Sequence, residues 1–412
     1  MPRSWPSCAI PVDWSAVGGE AGVADEAVAE GDLLVFGKWV AFSDHQNSSG
    51  DDEGTIAVIG PDGKEKILSS GWLSVEGLSW SPSGDEIWFT SAKTDSAQNL
   101  RGVTLSGKVR DIANVPGGMW LQDIRNGVAL TVAQQPRVNI RGAGPNATDE
   151  MEFGWFGWSE LRDVSRDGKK VLFEEEGEGG GPNYTVFLRD TDGSPPVRIG
   201  EGRGEAISPD SKWVITQPVD DGRPLQLVPT GAGQARALTH DGVRYTGVRY
   251  LPDGKHLLAT GLEPGHGARD YLIDTNTGDS KPLTPEGVVG DNISPDGKTT
   301  IVLGPDDKWG LFPLDGSGFR PIEGLQSGFA PLGWTPDGAS IYVMQITGDH
   351  RYRKVFRMNL ASGKMDLWKT LGDGISSGVS AVAGAMFAKD ANAYAYQWSQ
   401  VLCQAYLVRG LK

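Results

Sequence analysis

The chain has 412 residues, 58 of them Gly and 25 Pro, so these two types make up about 20% of it, against roughly 12% in an average chain. That excess rules out a helical protein, and without a G-X-Y period collagen is excluded too; 38% hydrophobic residues, with 14 Trp, 12 Phe and 9 Tyr, still leave ample material for a large core. A net charge of −15 argues against nucleic acid or an anionic membrane surface as partner, because neutralising phosphates requires a basic face.

The first 30 residues match no pattern and read as an N-terminal extension (1–30). Within 1–19, Pro6, Pro11 and Asp13 interrupt any signal-peptide core, and no run approaches 18 apolar residues. The expectation is a chain that stays in the cytoplasm and does not insert into a membrane. The two cysteines, Cys8 and Cys403, stand at opposite ends, which excludes a disulfide scaffold and a Cys-rich zinc site.

From residue 31 to 412 one phrase recurs: an apolar stretch, then Ser/Thr-Pro-Asp-Gly-Lys or a relative, then an alternating apolar stretch. In chain order the copies are VFGKWVAF (35–42), LSWSPSGDEIWF (78–89), LQDIRNGVALTV (121–132), DVSRDGKKVLF (163–173), AISPDSKWVI (206–215), VRYLPDGKHLLA (248–259), NISPDGKTTIV (292–302), GWTPDGASIYV (333–343) and FAKDANAYAY (387–396). The proline slot falls at 82, 166, 209, 252, 295 and 336, at intervals of 84, 43, 43, 43 and 41. The first interval is double, and the worn copy with Arg125 in its slot fills it. In the last copy the slot holds Lys389, 53 residues further on.

Pro presets φ for a type I turn, Asp follows, and Gly accepts the left-handed conformation that joins two antiparallel strands. After the corner at 252–254, strands are predicted at 255–259, 269–273 and 280–283, the last two joined by the Gly-rich turn Thr275 to Gly278. Four antiparallel strands per 41–43 residues describe an all-β fold, a β-propeller of four-stranded blades. Seven to nine repeats are available and eight blades are expected. The last copy supplies only three strands, so closure is expected to borrow a fourth from the segment before Gly37.

Catalytic and cofactor motifs mostly fail. Gly374-Ile375-Ser376-Ser377-Gly378 fits G-x-S-x-G, but no His follows Ser376. The glycines of 177–183 lack a nucleotide-binding pattern, and Glu174, Glu175, Glu176 and Glu178 would repel phosphate. Asp190-Thr191-Asp192-Gly193 opens like a calcium loop but has Pro195 where Gly is needed. None of the five histidines forms HxH or HExxH. No catalytic residue, metal ligand or cofactor is therefore expected. Trp72, Trp120, Trp155, Trp158 and Tyr245 precede first strands, which puts them on blade-to-blade connections, where two roles are open: packing between blades, or contact with a protein or small-molecule partner. Glu201, Arg203 and His240 are their polar companions in that binding reading.

The stretches 155–215, 227–267 and 393–412 resemble the TolB-like, WD-repeat-type propeller region found C-terminal to the kinase domain in bacterial eukaryotic-type serine/threonine protein kinases. The similarity covers roughly 31–412. Kinase signatures (G-x-G-x-x-G-x-V, V-A-I-K, H-R-D, D-F-G) are missing from this sequence, so no phosphoryl-transfer residue carries over. The resemblance implies a non-enzymatic, monomeric sensory, ligand-binding or protein-interaction module. Two alternatives stand beside it: an enzyme with a metal-assisted hydrolase or lyase site in the propeller channel, and a fragment of a larger kinase, which would place the propeller outside the cytoplasm behind a membrane span.

Overall fold

The computed structural model describes residues 33–45, 53–93, 98–114, 118–177, 179–181, 183–219, 223–375, 379–390 and 392–411. The 1–30 extension and Ser376 of the rejected serine motif lie outside them. The described strands make eight sheets, the expected number, and the chain divides into two compact units, Met1–Pro136 with Val401–Lys412, and Arg137–Gln400.

The first unit holds two four-stranded antiparallel sheets and a hairpin. One sheet is β1 (Leu33–Phe36), β2 (Trp39–Asp44), β3 (Gly54–Ile59) and β4 (Glu65–Trp72); the next is β5 (Ser74–Trp80), β6 (Glu86–Ala92), β7 (Asn99–Thr104) and β8 (Val109–Ala113). The worn copy at Arg125 is a hairpin of β9 (Trp120–Arg125) and the first half of β10 (Val128–Ala143), turning at Asn126 and Gly127, both left-handed.

The second unit begins with the rest of β10 and β11 (Met151–Glu152). Five regular blades follow. They are β12 (Ser159–Val164), β13 (Lys170–Glu175), β14 (Thr185–Asp190), β15 (Val197–Glu201); β16 (Arg203–Ile207), β17 (Trp213–Gln217), β18 (Gln226–Pro229), β19 (Arg236–Ala237); β20 (Arg244–Tyr250), β21 (His256–Leu262), β22 (Arg269–Asp274), β23 (Ser280–Pro282); β24 (Val289–Ile293), β25 (Thr299–Leu303), β26 (Trp309–Pro313), β27 (Arg320–Pro321); and β28 (Phe329–Trp334), β29 (Ser340–Gln345), β30 (Arg353–Asn359), β31 (Met365–Leu371). The predicted strands after the corner at 252–254 appear as β21, β22 and β23. β32 (Val379–Phe387) and β33 (Tyr394–Arg409) complete the chain.

The corners are built as the repeat implies. At 294–299 the Ser294 hydroxyl donates to Asp296 (2.6 Å) and accepts from the amides of Lys298 (3.2 Å) and Thr299 (3.0 Å), while Gly297 adopts φ +70°. Ser208 with Asp210 and Thr335 with Asp337 repeat this pairing. The strands beyond bury apolar residues on both faces, as blades stacked on neighbours must. Ala206, Ile215 and Leu227 of one blade, for example, share a core with Val248, Leu257, Ala259 and Tyr271 of the next. Each of the larger aliphatic side chains among them contributes about 1.5–3 kcal/mol when fully buried.

In this unit the first strands neighbour one another in a cycle: β12, β16, β20, β24, β28, β32 and back to β12. The unit is thus a closed ring of six blades. Closure departs from expectation. The last sheet runs β11-β10-β33-β32, so the missing strands come from 137–152 and not from the segment before Gly37, which pairs within its own sheet as β1 with β2. Glu150, just before β11, secures the joint. It accepts from the hydroxyls of Tyr394 (2.6 Å) and Tyr396 (2.8 Å) and pairs with Arg141 (2.9 Å) and Lys369 (3.0 Å). Burial would raise its pKa, but the bonds from Tyr394, Lys369 and Tyr396 hold it below the usual carboxylate value.

Neighbouring blades are also tied by buried carboxyls. Asp270 of β22 is fully buried; it accepts from the Thr260 hydroxyl (2.8 Å) and, across to the next blade, from the Gly290 amide (2.9 Å). Burial pushes its pKa up to about 7.

Two outcomes are expected. Glu150→Ala strands two tyrosine hydroxyls and two cations, and should cost about 3 kcal/mol in urea unfolding; a loss under half a kcal/mol would show that Glu150 does not secure the closure. Asp270, with its folded pKa raised from 3.8 to about 7, keeps in the folded state a proton that the unfolded chain has already lost. Its contribution to stability is therefore complete below about pH 4 and disappears as pH rises through about 7. Raising the pH from 5.5 to 8.5 should lower the thermal midpoint, and Asp270→Asn, which imitates the protonated form, should flatten that slope; an unchanged slope refutes the assignment.

Candidate functional site: the channel of the six-bladed ring

Each of the six inner strands carries a register break shortly before its corner: between Leu161 and Asp163, Gly204 and Ala206, Thr246 and Arg249, Val289 and Asn292, Pro331 and Gly333, and Ala383 and Ala385. A β-bulge bends its strand and re-aims the next side chains. Here those side chains line a cavity of about 220 Å³ bordered by all six inner strands. A wider recess of about 540 Å³, formed by the corners at Ser294–Asp296 and Pro336–Gly338 with Arg166 and Asp390, adjoins it and shares Arg166 and Ser294.

Five charged groups line the channel: Asp163, Arg166, Arg249, Asp291 and Lys389. Asp163 accepts from the amides of Val164 and, on the next blade, Ile207, both at 2.8 Å; burial raises its pKa, against Arg249 and those amides. Arg249 donates to the carbonyls of Glu205 (2.8 Å) and Val248 (2.9 Å) and pairs with Asp291 at 3.1 Å. Burial would lower its pKa, but Asp291, Asp163 and Glu205 more than compensate. Arg166 pairs with Asp390 at 2.6 Å. Lys389 differs. Burial lowers its pKa and Asp163 opposes that, yet among the described residues no hydrogen bond or ion pair to its ammonium is formed. The Asn292 carboxamide borders the same cavity and is likewise without a hydrogen-bond partner among the described residues. Gly333 leaves them room: a Cβ at that position would lie 3.6 Å from Asn292 Oδ1 and 3.9 Å from Lys389 Nζ.

The residues expected to bind do not form one patch. Trp72 is only 3% exposed, packed edge-on against Phe89 with the Lys93 and Arg101 cations 4.8 Å from its ring centroid. Tyr245 is 1% exposed, its hydroxyl donating to Asp241 at 2.6 Å. Both are core residues and offer no surface, which corrects the binding role considered for them. Trp120 is half-buried in the first unit, and His240 is exposed on another connection, between β19 and β20. Trp155, Trp158, Glu201 and Arg203 do come together at one end of the β12–β15 blade. Trp158 donates its amide to Glu175 (3.2 Å), Arg203 lies 4.0 Å from Glu176 and over the Tyr184 ring, and Glu201 accepts from Asn183 (3.2 Å). Trp155 stays 49% exposed beneath the Arg189 guanidinium.

The sequence motifs do not single out the channel residues, which carry no catalytic or aromatic signature. Their signal was positional: Asp163, Arg249 and Asn292 each stand three residues before a proline slot, and Arg166 and Lys389 occupy slots themselves. Among the described residues no group of three or more His, Cys, Asp or Glu is placed to hold a metal ion.

No protein-family model matches the sequence, and no curated protein matches it. Solved structures do. A protein assigned as TolB from Agrobacterium tumefaciens is 19% identical, with a TM-score of 0.47 over 65% of this chain and 99% of that one. TolB from Acinetobacter baumannii is 21% identical, with a TM-score of 0.34 over 69% of this chain and 64% of that one. An oligogalacturonate lyase from Vibrio parahaemolyticus is 15% identical, with a TM-score of 0.40 over 63% and 77%. At such identities and TM-scores the likeness is one of fold alone and assigns no family or role; that the chain is a β-propeller rests on its blades and its closed ring.

Proposed function

We propose that the chain is a non-enzymatic binding propeller whose six-bladed ring takes a small ligand in its channel. One observation carries this reading. The channel encloses a cavity of about 220 Å³ in which, among the described residues, the carboxylates Asp163 and Asp291 are engaged by backbone amides and by Arg249 while the Lys389 ammonium and the Asn292 carboxamide have no hydrogen-bond partner. The metal-assisted alternative predicts stoichiometric metal in protein purified without chelator and turnover on a hydrolase or lyase panel.

A second reading is favoured by exposed aromatics at the β12–β15 blade. Trp155 is 49% and Phe156 47% exposed, side by side, as in the anchors of a protein interface. The kinase association implied by the sequence resemblance belongs to this second reading.

Gly333 separates the two. Gly333→Ala makes only ordinary contacts and serves as a folding control, while Gly333→Val fills the space beneath Lys389. A thermal-shift screen of small molecules on the full chain should yield ligands whose shifts survive Gly333→Ala and Trp155→Ala and vanish in Gly333→Val. Shifts that persist in Gly333→Val and vanish in Trp155→Ala would move the site to the blade end and defeat the channel reading.

A further inference from the structure

The channel also carries information on what it would hold. The chain as a whole has a net charge of −15, yet the five charged groups lining the channel are three cations and two anions. Four of the five are accounted for. Arg249 is paired with Asp291, Arg166 with Asp390, and Asp163 is held by two backbone amides. The remaining charge is the Lys389 ammonium, half-buried and with no partner among the described residues.

The Asp163 carboxylate favours this ammonium through space, but its oxygens accept from the Val164 and Ile207 amides, so the N–H donors of Lys389 are withdrawn from water with no acceptor among the described residues. The Asn292 carboxamide reaches the same space over Gly333, so one cation and one neutral donor converge. The rest of the wall is apolar, from Ile207, Ile293, Leu332 and Phe387. Counting Asp390, the channel's charges balance, three cations against three carboxylates, so an entering anion should carry no more than one charge. A phosphate dianion would bring excess charge beside Asp163 and Asp291. The apolar wall needs a hydrocarbon or aromatic body to cover it, and about 220 Å³ limits that body to a small one.

Resting on the channel reading above, we infer that the channel binds a small monocarboxylate with an apolar body, its carboxylate on Lys389 Nζ and supported by Asn292. The carboxylate has two sources with the same chemistry, a free organic acid or the C-terminus of a peptide, and the test includes both.

Phenylacetate and hexanoate would be titrated calorimetrically into the full-length chain beside phenylacetamide and hexanamide, and a Gly-Gly-Leu free acid beside its C-terminal amide. The acids should bind at least tenfold more tightly than their amides. Lys389→Gln should abolish that preference and Lys389→Arg should retain it, with circular dichroism showing both variants folded. Preference for the organic acids alone assigns a metabolite-like ligand; preference for the peptide acid assigns a chain terminus. Equal binding of acid and amide, or acid binding undiminished in Lys389→Gln, overturns the carboxylate inference while leaving the channel as a ligand site. Binding of none of these probes overturns it as well, and the channel reading is then decided separately by the Gly333→Val screen.

Discussion

The ring depends on one joint. Each blade buries its faces only against its two neighbours, so an open row of six would leave two apolar faces in water. The second unit avoids this by building its last sheet from both ends of its own sequence, with β10 and β11 laid against β33 and β32. Backbone hydrogen bonds give the joint direction and register. Glu150 adds selectivity, since its carboxylate gathers two tyrosines from β33, a lysine from the preceding blade and an arginine from β10. Such a buried, fully partnered carboxylate is costly to disturb and specifies one arrangement of strands over its neighbours in register.

Closure has a consequence at the centre. Six first strands converge around one axis, and the register break in each of them bends the strand and turns the following side chains into the channel. This explains why buried charge gathers there. Asp163 reaches the amide of Ile207 on the adjacent blade, and Arg249 links the carbonyl of Glu205 behind it to Asp291 ahead. These polar ties join blades where apolar packing thins out, so most of the channel's charge serves the ring itself. What remains uncommitted among the described residues is small: the Lys389 ammonium and the Asn292 carboxamide.

Two departures from the repeat supply the cations at the rim. Where four of the six corners of this ring have proline, Arg166 and Lys389 stand instead. Arg166 meets Asp390 across the joint between the last corner and the first, and thereby reinforces closure. Lys389 is on the same side of the ring, but its charge has no such partner. A position that elsewhere stiffens a turn thus becomes, at the closing blade, a position that can meet a ligand.

Composition and spacing alone were enough to establish the all-β class, the 41–43-residue blade, the corner chemistry and even the worn copy at Arg125, because each rests on local rules: proline presetting φ, glycine tolerating φ > 0, and alternation along a strand. Site geometry was less legible. Trp72 and Tyr245 read as surface anchors but fill cores, since large aromatics are drawn inward wherever a blade interface has room for them. The closing strands and the meeting of Asn292 with Lys389 over Gly333 join residues about a hundred or more positions apart, and the bulged strands set Asp163 and Arg249 against residues of neighbouring blades. Such contacts follow from how blades stack around an axis and not from any local preference, so only the tertiary structure could decide them.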